Sequence, residues 1–129
     1  MSSDHQRHRE LIAQIFEELG RGSGSALRRS SAADLTWWLP LDPAEYSGID
    51  DVERVLASTL VAEGGAVNAV ILSPDGSTAV VEQLVRASDG TEAPATSVVV
   101  LHGGRVASGR TYLDVETAAA HEQRVRTHD

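Results

Sequence analysis

The sequence predicts an α+β domain in which a curved antiparallel sheet wraps around helices. Two observations indicate this fold class. Apolar residues recur mainly at helical spacing in the first half of the chain, and after about residue 66 they follow the period of two that is typical of strands. A chain of 129 residues that is 41% hydrophobic suits one core. We expect a single domain with its core at about residues 9–115 and a tail at 116–129.

Three helices are predicted in the N-terminal half. The first covers about residues 5–19, and the second is short, at 26–33. The third has Asp50 or Asp51 as its N-terminal cap and finishes at 64–65. The apolar stripes that would face the core are Leu11, Ile12, Ile15, Phe16 and Leu19 in the first helix, and Ile49, Val52, Val55, Leu56 and Leu60 in the third.

Five strands are predicted. The first, at residues 35–39, holds the two adjacent tryptophans, and prolines end it before a loop at 41–48. The turn signals SPDG, SDGT and HGG separate the other four, which would form an antiparallel meander. These four strands cover residues 67–73, 78–87, 94–102 and 105–115, and a terminal helix at 116–126 would follow them.

Composition excludes several function classes. The formal net charge is −8, and a chain with so few, scattered basic residues is not expected to bind nucleic acid, because phosphate binding needs a basic surface. The sequence has no cysteine, and its histidines show no metal-ligand spacing, so we expect no disulfide, metal or cofactor. No apolar run is typical of a signal peptide or a membrane span, so we expect a cytoplasmic protein.

Four short segments resemble a known family: TWWLP at 36–40, the Gly-x-x-Asp-Val helix start at 48–52, VVE at 80–82 and above all GGRVASGRTYLDV at 103–115. With the order of elements, they resemble the SnoaL-like branch of the nuclear transport factor 2 (NTF2) superfamily. The resemblance implies a cone-shaped barrel, with a deep apolar cavity between the sheet and three N-terminal helices, that is often dimeric through the outer sheet face. Members include polyketide cyclases, ketosteroid isomerases, limonene-type epoxide hydrolases, dehydratases and non-catalytic binders.

The sequence departs from the acidic residues that the resemblance implies for catalysis. Cyclases and epoxide hydrolases commonly have an aspartate between the arginine and the tyrosine of the last strand, and this chain has Thr111 there. The arginine and aspartate of the hydrolases correspond to Val81 and Gln83, and the first-helix tyrosine of the ketosteroid isomerases corresponds to Phe16. The epoxide hydrolase triad is therefore absent, and the ketosteroid isomerase pattern is incomplete.

Gln83 is the most informative candidate residue. It shares one face of its strand with Ala79, Val81 and Val85, so a lone amide would lie on the cavity wall. A buried amide without partners would cost about 1–3 kcal/mol. Two interpretations remain open: Gln83 bonds to Thr111 or the backbone inside the core, or it bonds to a ligand.

The family register directs Thr36 and Trp38 inward and Trp37 outward. An inward tryptophan would either fill the core or form a platform for a planar ligand. The predicted substrate-binding residues are Thr36, Trp38, Val81, Val85, Ser97 and Leu113.

The predicted catalytic residues add two from the loop over the mouth of the cone. Tyr46 is either half-buried surface or a weak acid that bonds a ligand oxygen, and Asp42 is the one acid retained near the mouth. With Gln83 and Thr111 they complete the candidate set. The convex face carries Arg110, Tyr112 and Asp114, which we expect to form cross-strand pairs or a dimer contact.

Two functions from different classes remain open. The first is an enzyme of secondary metabolism, a polyketide cyclase, isomerase or related lyase acting on a hydrophobic oxygenated substrate, and we favour it. The second is a non-catalytic ligand-binding or dimerisation module on the same fold, which the missing inward carboxylates support. For either, we expect a hydrophobic small molecule as ligand, no membrane partner and a homodimer through the convex sheet face.

Overall fold

The computed structural model of the chain describes residues 2–41, 43–86, 90 and 92–113. Within them lie the helices α1 (Ser2–Gly20), α2 (Ser25–Ser30) and α3 (Ile49–Thr59) and a 3₁₀ turn (Glu63–Gly65). The strands of this part are β1 (Ser31–Trp38), β2 (Glu45–Ser47), β3 (Ala69–Leu72), β4 (Thr78–Arg86), β5 (Glu92–His102) and β6 (Arg105–Tyr112). The predicted terminal helix at 116–126 lies outside the described residues.

The strands form one sheet in the order β2-β1-β6-β5-β4-β3. Strands β3 to β6 are the predicted antiparallel meander, so that prediction is confirmed. Strand β1 pairs with β6 in parallel, which makes the sheet mixed. Strand β2 lies inside the segment that the sequence predicts as a loop. The sequence does not reveal it because three residues are too few to show the period of a strand. Helices against a mostly antiparallel sheet confirm the α+β class.

Helix α3 begins without the carboxylate cap that the sequence predicts. Its N-cap is Gly48 at φ 88°, a conformation that glycine adopts without strain, and no side chain caps the first turn. The Asp50 carboxylate instead accepts a 2.7 Å hydrogen bond from Arg28 of α2 and ties the two helices together. The capping prediction is therefore wrong. No helix of the described chain is long and apolar enough to cross a membrane.

The two sides of the sheet carry separate apolar clusters. The inner face packs against α1 and α3 and forms the main core, which includes Ile12, Ile15, Phe16, Leu19, Val52, Leu56, Ala79, Val81, Val85, Ala95 and Val99. Burial of each large side chain contributes roughly 1.5–3 kcal/mol. The outer face carries a smaller cluster of Val80, Val98 and Tyr112 with Trp38 packed against it.

Strand β1 turns the opposite side inward from the one predicted. Leu35, Trp37 and Leu39 are buried in the main core, whereas Thr36 is exposed and Trp38 packs on the outer face. The expected inward orientation of Thr36 and Trp38 is therefore wrong. The orientation follows from the apolar area that each side of the strand can bury. The side that carries Trp37 also carries Leu35 and Leu39, and all three pack in the main core.

A bulge in β6 changes which of its residues face inward. The pairing with β5 skips Ala107, so Val106 and Gly109 are both buried although they are three residues apart. Thr111 is buried as expected. Leu113 lies beyond the end of β6 and is 37% exposed, so its expected place on the inner wall is wrong.

Candidate functional site

The inner face carries a small group of uncharged polar side chains within the apolar core. Gln83 on β4, Ser97 on β5 and Thr111 on β6 are all buried. The strand register brings them together, because Ser97 pairs with Val81 on one side and with Thr111 on the other. Trp37 on β1 completes the group from the next strand. No charged side chain is among the buried residues of the described chain.

Three of these side chains form a continuous chain of hydrogen bonds. The indole Nε1 of Trp37 donates to Thr111 Oγ1 at 2.9 Å. Thr111 Oγ1 and Ser97 Oγ lie 2.8 Å apart, and either hydroxyl can be the donor. Both bonds are buried, where the low local dielectric strengthens them.

Gln83 is buried but poorly satisfied. Its side chain is 2% exposed, and Nε2 donates a long hydrogen bond of 3.4 Å to the backbone carbonyl oxygen of Phe16 in α1. Within the described residues this is the one hydrogen bond of the amide, whereas Ser31 Oγ is the buried side-chain polar atom that has no partner at all. The sequence predicts that a core Gln83 would bond to Thr111 or to the backbone. The bond to the backbone forms, whereas Thr111 bonds to Trp37 and Ser97.

The indole of Trp37 is held in place by close packing. Its ring lies 6.2 Å from the ring of Phe16, at an interplanar angle of 51°. The same ring covers Gly109, where a Cβ atom would lie only 2.5 Å from Trp37 Cζ2. The absence of a side chain at Gly109 therefore lets the indole approach β6 closely enough to reach Thr111.

The other predicted site residues divide between the inner face and the surface. Val81 and Val85 lie in the main core beside Gln83, with their side chains inward as expected. Tyr46 is half-buried on β2 and opens onto a surface cleft of about 660 Å³ between β2 and α3. Asp42 lies outside the described residues.

Trp38 belongs to a different place in the fold. Its ring packs on Tyr112 with ring centroids 5.3 Å apart, above Val80 and Val98. A groove of about 350 Å³ runs beside it on the outer face, bordered by Arg110 and Glu45. The tryptophan that reaches the inner site is thus Trp37, which sequence reasoning placed outside. The apolar Leu35 and Leu39 on the same side of the strand are the signal that indicates its true orientation.

The titratable groups with shifted pKa values in the described chain lie on the surface. Hydrogen bonds from the Ser77 backbone and from the Ser73 and Ser77 hydroxyls lower the pKa of Asp75 to about 2. Hydrogen bonds to Asp50 and Glu53 raise the pKa of Arg28. No group of three His, Cys, Asp or Glu residues within the described segments is arranged to hold a metal ion.

The sequence matches no family model and none of the curated proteins, but solved structures share its architecture. A de novo designed protein with a curved β-sheet has a TM-score of 0.67 at 18% identity, covering 95% of this chain and 96% of that one. An NTF2-like protein of unknown function from Cytophaga hutchinsonii has a TM-score of 0.67 at 14% identity, covering 86% of this chain and 93% of that one. A protein named SnoaL-like polyketide cyclase, from Jannaschia sp. CCS1, has a TM-score of 0.66 at 17% identity, with 88% and 90% covered.

Structural similarity at identities this low shows that the fold is shared and does not show a shared activity. The similarity to a designed protein agrees with this limit. The superposition on the two natural neighbours nevertheless covers 86% and 88% of this chain and 93% and 90% of theirs. The chain therefore has the NTF2-like fold, which SnoaL-like polyketide cyclases also adopt.

Proposed function

We propose that the chain binds a hydrophobic oxygenated small molecule, of the aromatic polyketide kind, against the inner face of the sheet and converts it as a cyclase, isomerase or related lyase. The observation that carries this proposal is the buried polar group of Trp37, Thr111, Ser97 and Gln83. Polar atoms with unused hydrogen-bonding capacity are costly inside an apolar core, and a ligand oxygen would satisfy them. A few convergent polar groups in an apolar surround are typical of small-molecule sites.

The chemistry available at this group is positioning and hydrogen bonding. The described inner face offers no carboxylate, imidazole or amine that could act as a general base. Conversion would therefore depend on holding a reactive substrate in a productive conformation and on stabilising oxygen atoms as charge develops on them.

A second candidate function is binding without turnover. The same lack of charged side chains on the described inner face favours it, because hydrogen bonds and apolar contacts suffice to bind a ligand. The two candidates differ in whether product accumulates when a ligand that binds is incubated with the protein.

Tryptophan fluorescence tests the site directly, because the two tryptophans lie on opposite faces. The Trp38→Phe variant retains only the inner indole, and Trp37→Phe retains only the outer one. We would titrate both with polycyclic aromatic ketones, steroids and epoxides and analyse each mixture for product by mass spectrometry. Saturable quenching in Trp38→Phe supports the proposal, and product formation selects the enzyme. A folded Trp38→Phe protein that responds to nothing in the panel contradicts it.

We also propose that the chain forms a homodimer through the outer face. The exposed side chains of Ile71, Leu84 and Val100 extend the cluster around Val98 into a patch across three strands. Exposed apolar patches of this kind are typical of interfaces. In sedimentation velocity, Val100→Asp should yield a monomer, whereas Val61→Asp, an equally apolar exposed site outside the strands, should not. A dimer that survives Val100→Asp unchanged contradicts this interface.

A further inference from the structure

We propose that the groove beside Trp38 on the outer face of the sheet binds an uncharged sugar ring, which stacks on the indole and bonds to Glu45 on one side and to Arg110 on the other. The groove has a volume of about 350 Å³, and Trp38 packs on the face opposite the main core. This inference concerns a second site and does not depend on the proposed function.

The pairing of three neighbouring strands sets the width of the groove. Trp38 on β1 is paired with Glu45 on β2 and with Arg110 on β6, so the three side chains form one row across the outer face. Neighbouring strands lie about 4.8 Å apart, so the Cα atoms of Glu45 and Arg110 are separated by roughly 10 Å, with Trp38 between them. The row therefore places an acid, a flat ring and a base in that order.

A second row of side chains supplies hydroxyl groups. Thr36 on β1 is paired with Ser47 on β2 and with Ser108 on β6, two residues along each strand from the first row. All three line the groove, and none of their hydroxyls forms a hydrogen bond within the described residues. The groove thus offers three hydroxyls about 7 Å from the first row, each able to donate and to accept.

The two charged side chains of the first row have unused hydrogen-bonding capacity. Within the described chain every ion pair lies elsewhere, and neither Glu45 nor Arg110 takes part in one. Both side chains are exposed and long enough to turn towards a ligand that lies on the indole. Because one is negative and the other positive, the first row has no net charge.

The indole of Trp38 is held as a flat platform. Tyr112 packs against it with its ring centroid 5.3 Å away and is only 4% exposed, and Val80 and Val98 complete the cluster. The indole itself is partly exposed. A ring supported in this way loses little freedom when a ligand binds, so its apolar surface is available at low entropic cost.

These features together select a neutral sugar. A sugar ring has an apolar face of C–H groups, which carry partial positive charge and pack on the negative face of an indole. The hydroxyl groups around its edge donate to a carboxylate and accept from a guanidinium, so one ring can satisfy Glu45 and Arg110 together. An anion would meet Glu45, a cation would meet Arg110, and an apolar ligand would leave both charges without partners.

The groove lies next to the proposed dimer contact. Its two rows belong to β2, β1 and β6, whereas Ile71, Leu84 and Val100 of the apolar patch belong to β3, β4 and β5. Val100 borders both regions. The outer face is thus divided between a half that carries the two rows and an apolar half, which separates the sugar site from the subunit contact.

The test titrates the full chain, labelled with ¹⁵N, with the methyl pyranosides of glucose, galactose, mannose and N-acetylglucosamine and with the disaccharides cellobiose and maltose. The control ligand is sorbitol, which has similar hydroxyl groups and no rigid ring. NMR measures the affinity and shows which amide and indole signals move. The Trp38→Phe variant identifies the Trp38 indole signal by its loss.

Two variants each remove one charge from the groove, Glu45→Gln and Arg110→Gln. Their matched controls, Glu82→Gln and Arg86→Gln, make the same changes at exposed positions on the outer side of β4, outside the groove. All four positions are exposed, so each variant should fold like the wild type.

We expect at least one sugar to bind the wild type with a saturable shift of the Trp38 indole signal and of amides on β1, β2 and β6. Sorbitol should bind about tenfold more weakly, because it has no rigid face to stack. Glu45→Gln and Arg110→Gln should each weaken binding of that sugar about fivefold, the value of one ordinary hydrogen bond, and the controls should keep the wild-type affinity.

Three results would overturn the inference. The first is a folded protein in which no sugar of the panel shifts a signal at millimolar concentration. The second is a sugar that binds the two groove variants as tightly as their controls, which places it elsewhere. The third is a groove whose signals respond to dilution of the protein and not to sugar, which makes it a contact between two copies of the chain. None of these results bears on the inner site, which the tryptophan titrations test separately.

Discussion

Replacing Gly109 with alanine should destabilise the protein by about 3 kcal/mol, although alanine is intrinsically the better strand residue. Gly109 has no positive φ that would demand glycine, so conformational entropy alone would favour Gly109→Ala by about 0.5–1 kcal/mol. The new Cβ, however, would lie 2.5 Å from Cζ2 and Cζ3 of Trp37, inside van der Waals contact with a rigid ring.

The indole cannot yield without losing its partners. It packs on Phe16 and donates to Thr111 at 2.9 Å, so a shift away from Gly109 disturbs the packing with Phe16 and lengthens that bond. Overpacking costs about 1–3 kcal/mol, and a buried N–H without an acceptor costs about 1–3 kcal/mol more. Set against the entropic gain, the net loss falls between about 1 and 5 kcal/mol.

Urea denaturation of Gly109→Ala, Trp37→Leu and the double variant measures the effect as a free energy of unfolding. The two single losses should not add, because the smaller leucine leaves room for the alanine, and the coupling should be of order 1–3 kcal/mol. A Gly109→Ala protein as stable as the wild type, or more stable, would refute the close approach of Trp37 to β6 and with it the buried hydrogen bond from Trp37 to Thr111.

Three further predictions address the ligand, the outer face and pH. Gln83→Leu should leave the stability unchanged or slightly raised, because a poorly satisfied buried amide is removed. The same variant should bind an oxygenated ligand about tenfold more weakly in calorimetry. Full affinity in a folded variant would exclude Gln83 as a ligand contact. Trp38→Phe should blue-shift the emission maximum, because the buried Trp37 remains, and a red shift would mean that their environments are reversed. The lowered pKa of Asp75, about 2 against an ordinary 3.8, stabilises the fold above pH 4, and that contribution is lost as pH falls towards 2. Asp75→Asn should flatten the decline in stability between pH 4 and pH 2, and an unchanged acid profile would contradict this assignment.

Much of the fold could be predicted because its signals are local. The stripe of Ile12, Ile15 and Leu19 on α1 has helical period, and the alternation around Gln83 on β4 has strand period. Glycine-containing turns separate the strands of the meander. Each of these features depends on residues a few positions apart, so a single sequence contains the information.

The inward side of β1 could not be predicted from local signals. Alternation shows that Trp37 and Trp38 lie on opposite sides of the strand, but it does not show which side faces the core. The resemblance to a distant family predicts Trp38 inward, and that prediction is wrong. The choice depends on what each side meets. Phe16 and Gly109 provide space and contact for Trp37, and both are far from it in the chain.

The sequence by itself determined the presence of the three helices and of every described strand except β2, the meander, the inward placement of Gln83 and the lack of a carboxylate at position 111. Only the tertiary structure decided the parallel pairing of β1 with β6 and the hydrogen-bond chain through Trp37, Thr111 and Ser97. Trp37 and Thr111 are 74 residues apart. Local periodicity shows which way a side chain points relative to its neighbours, but a buried donor finds its acceptor only when distant strands pair in one register.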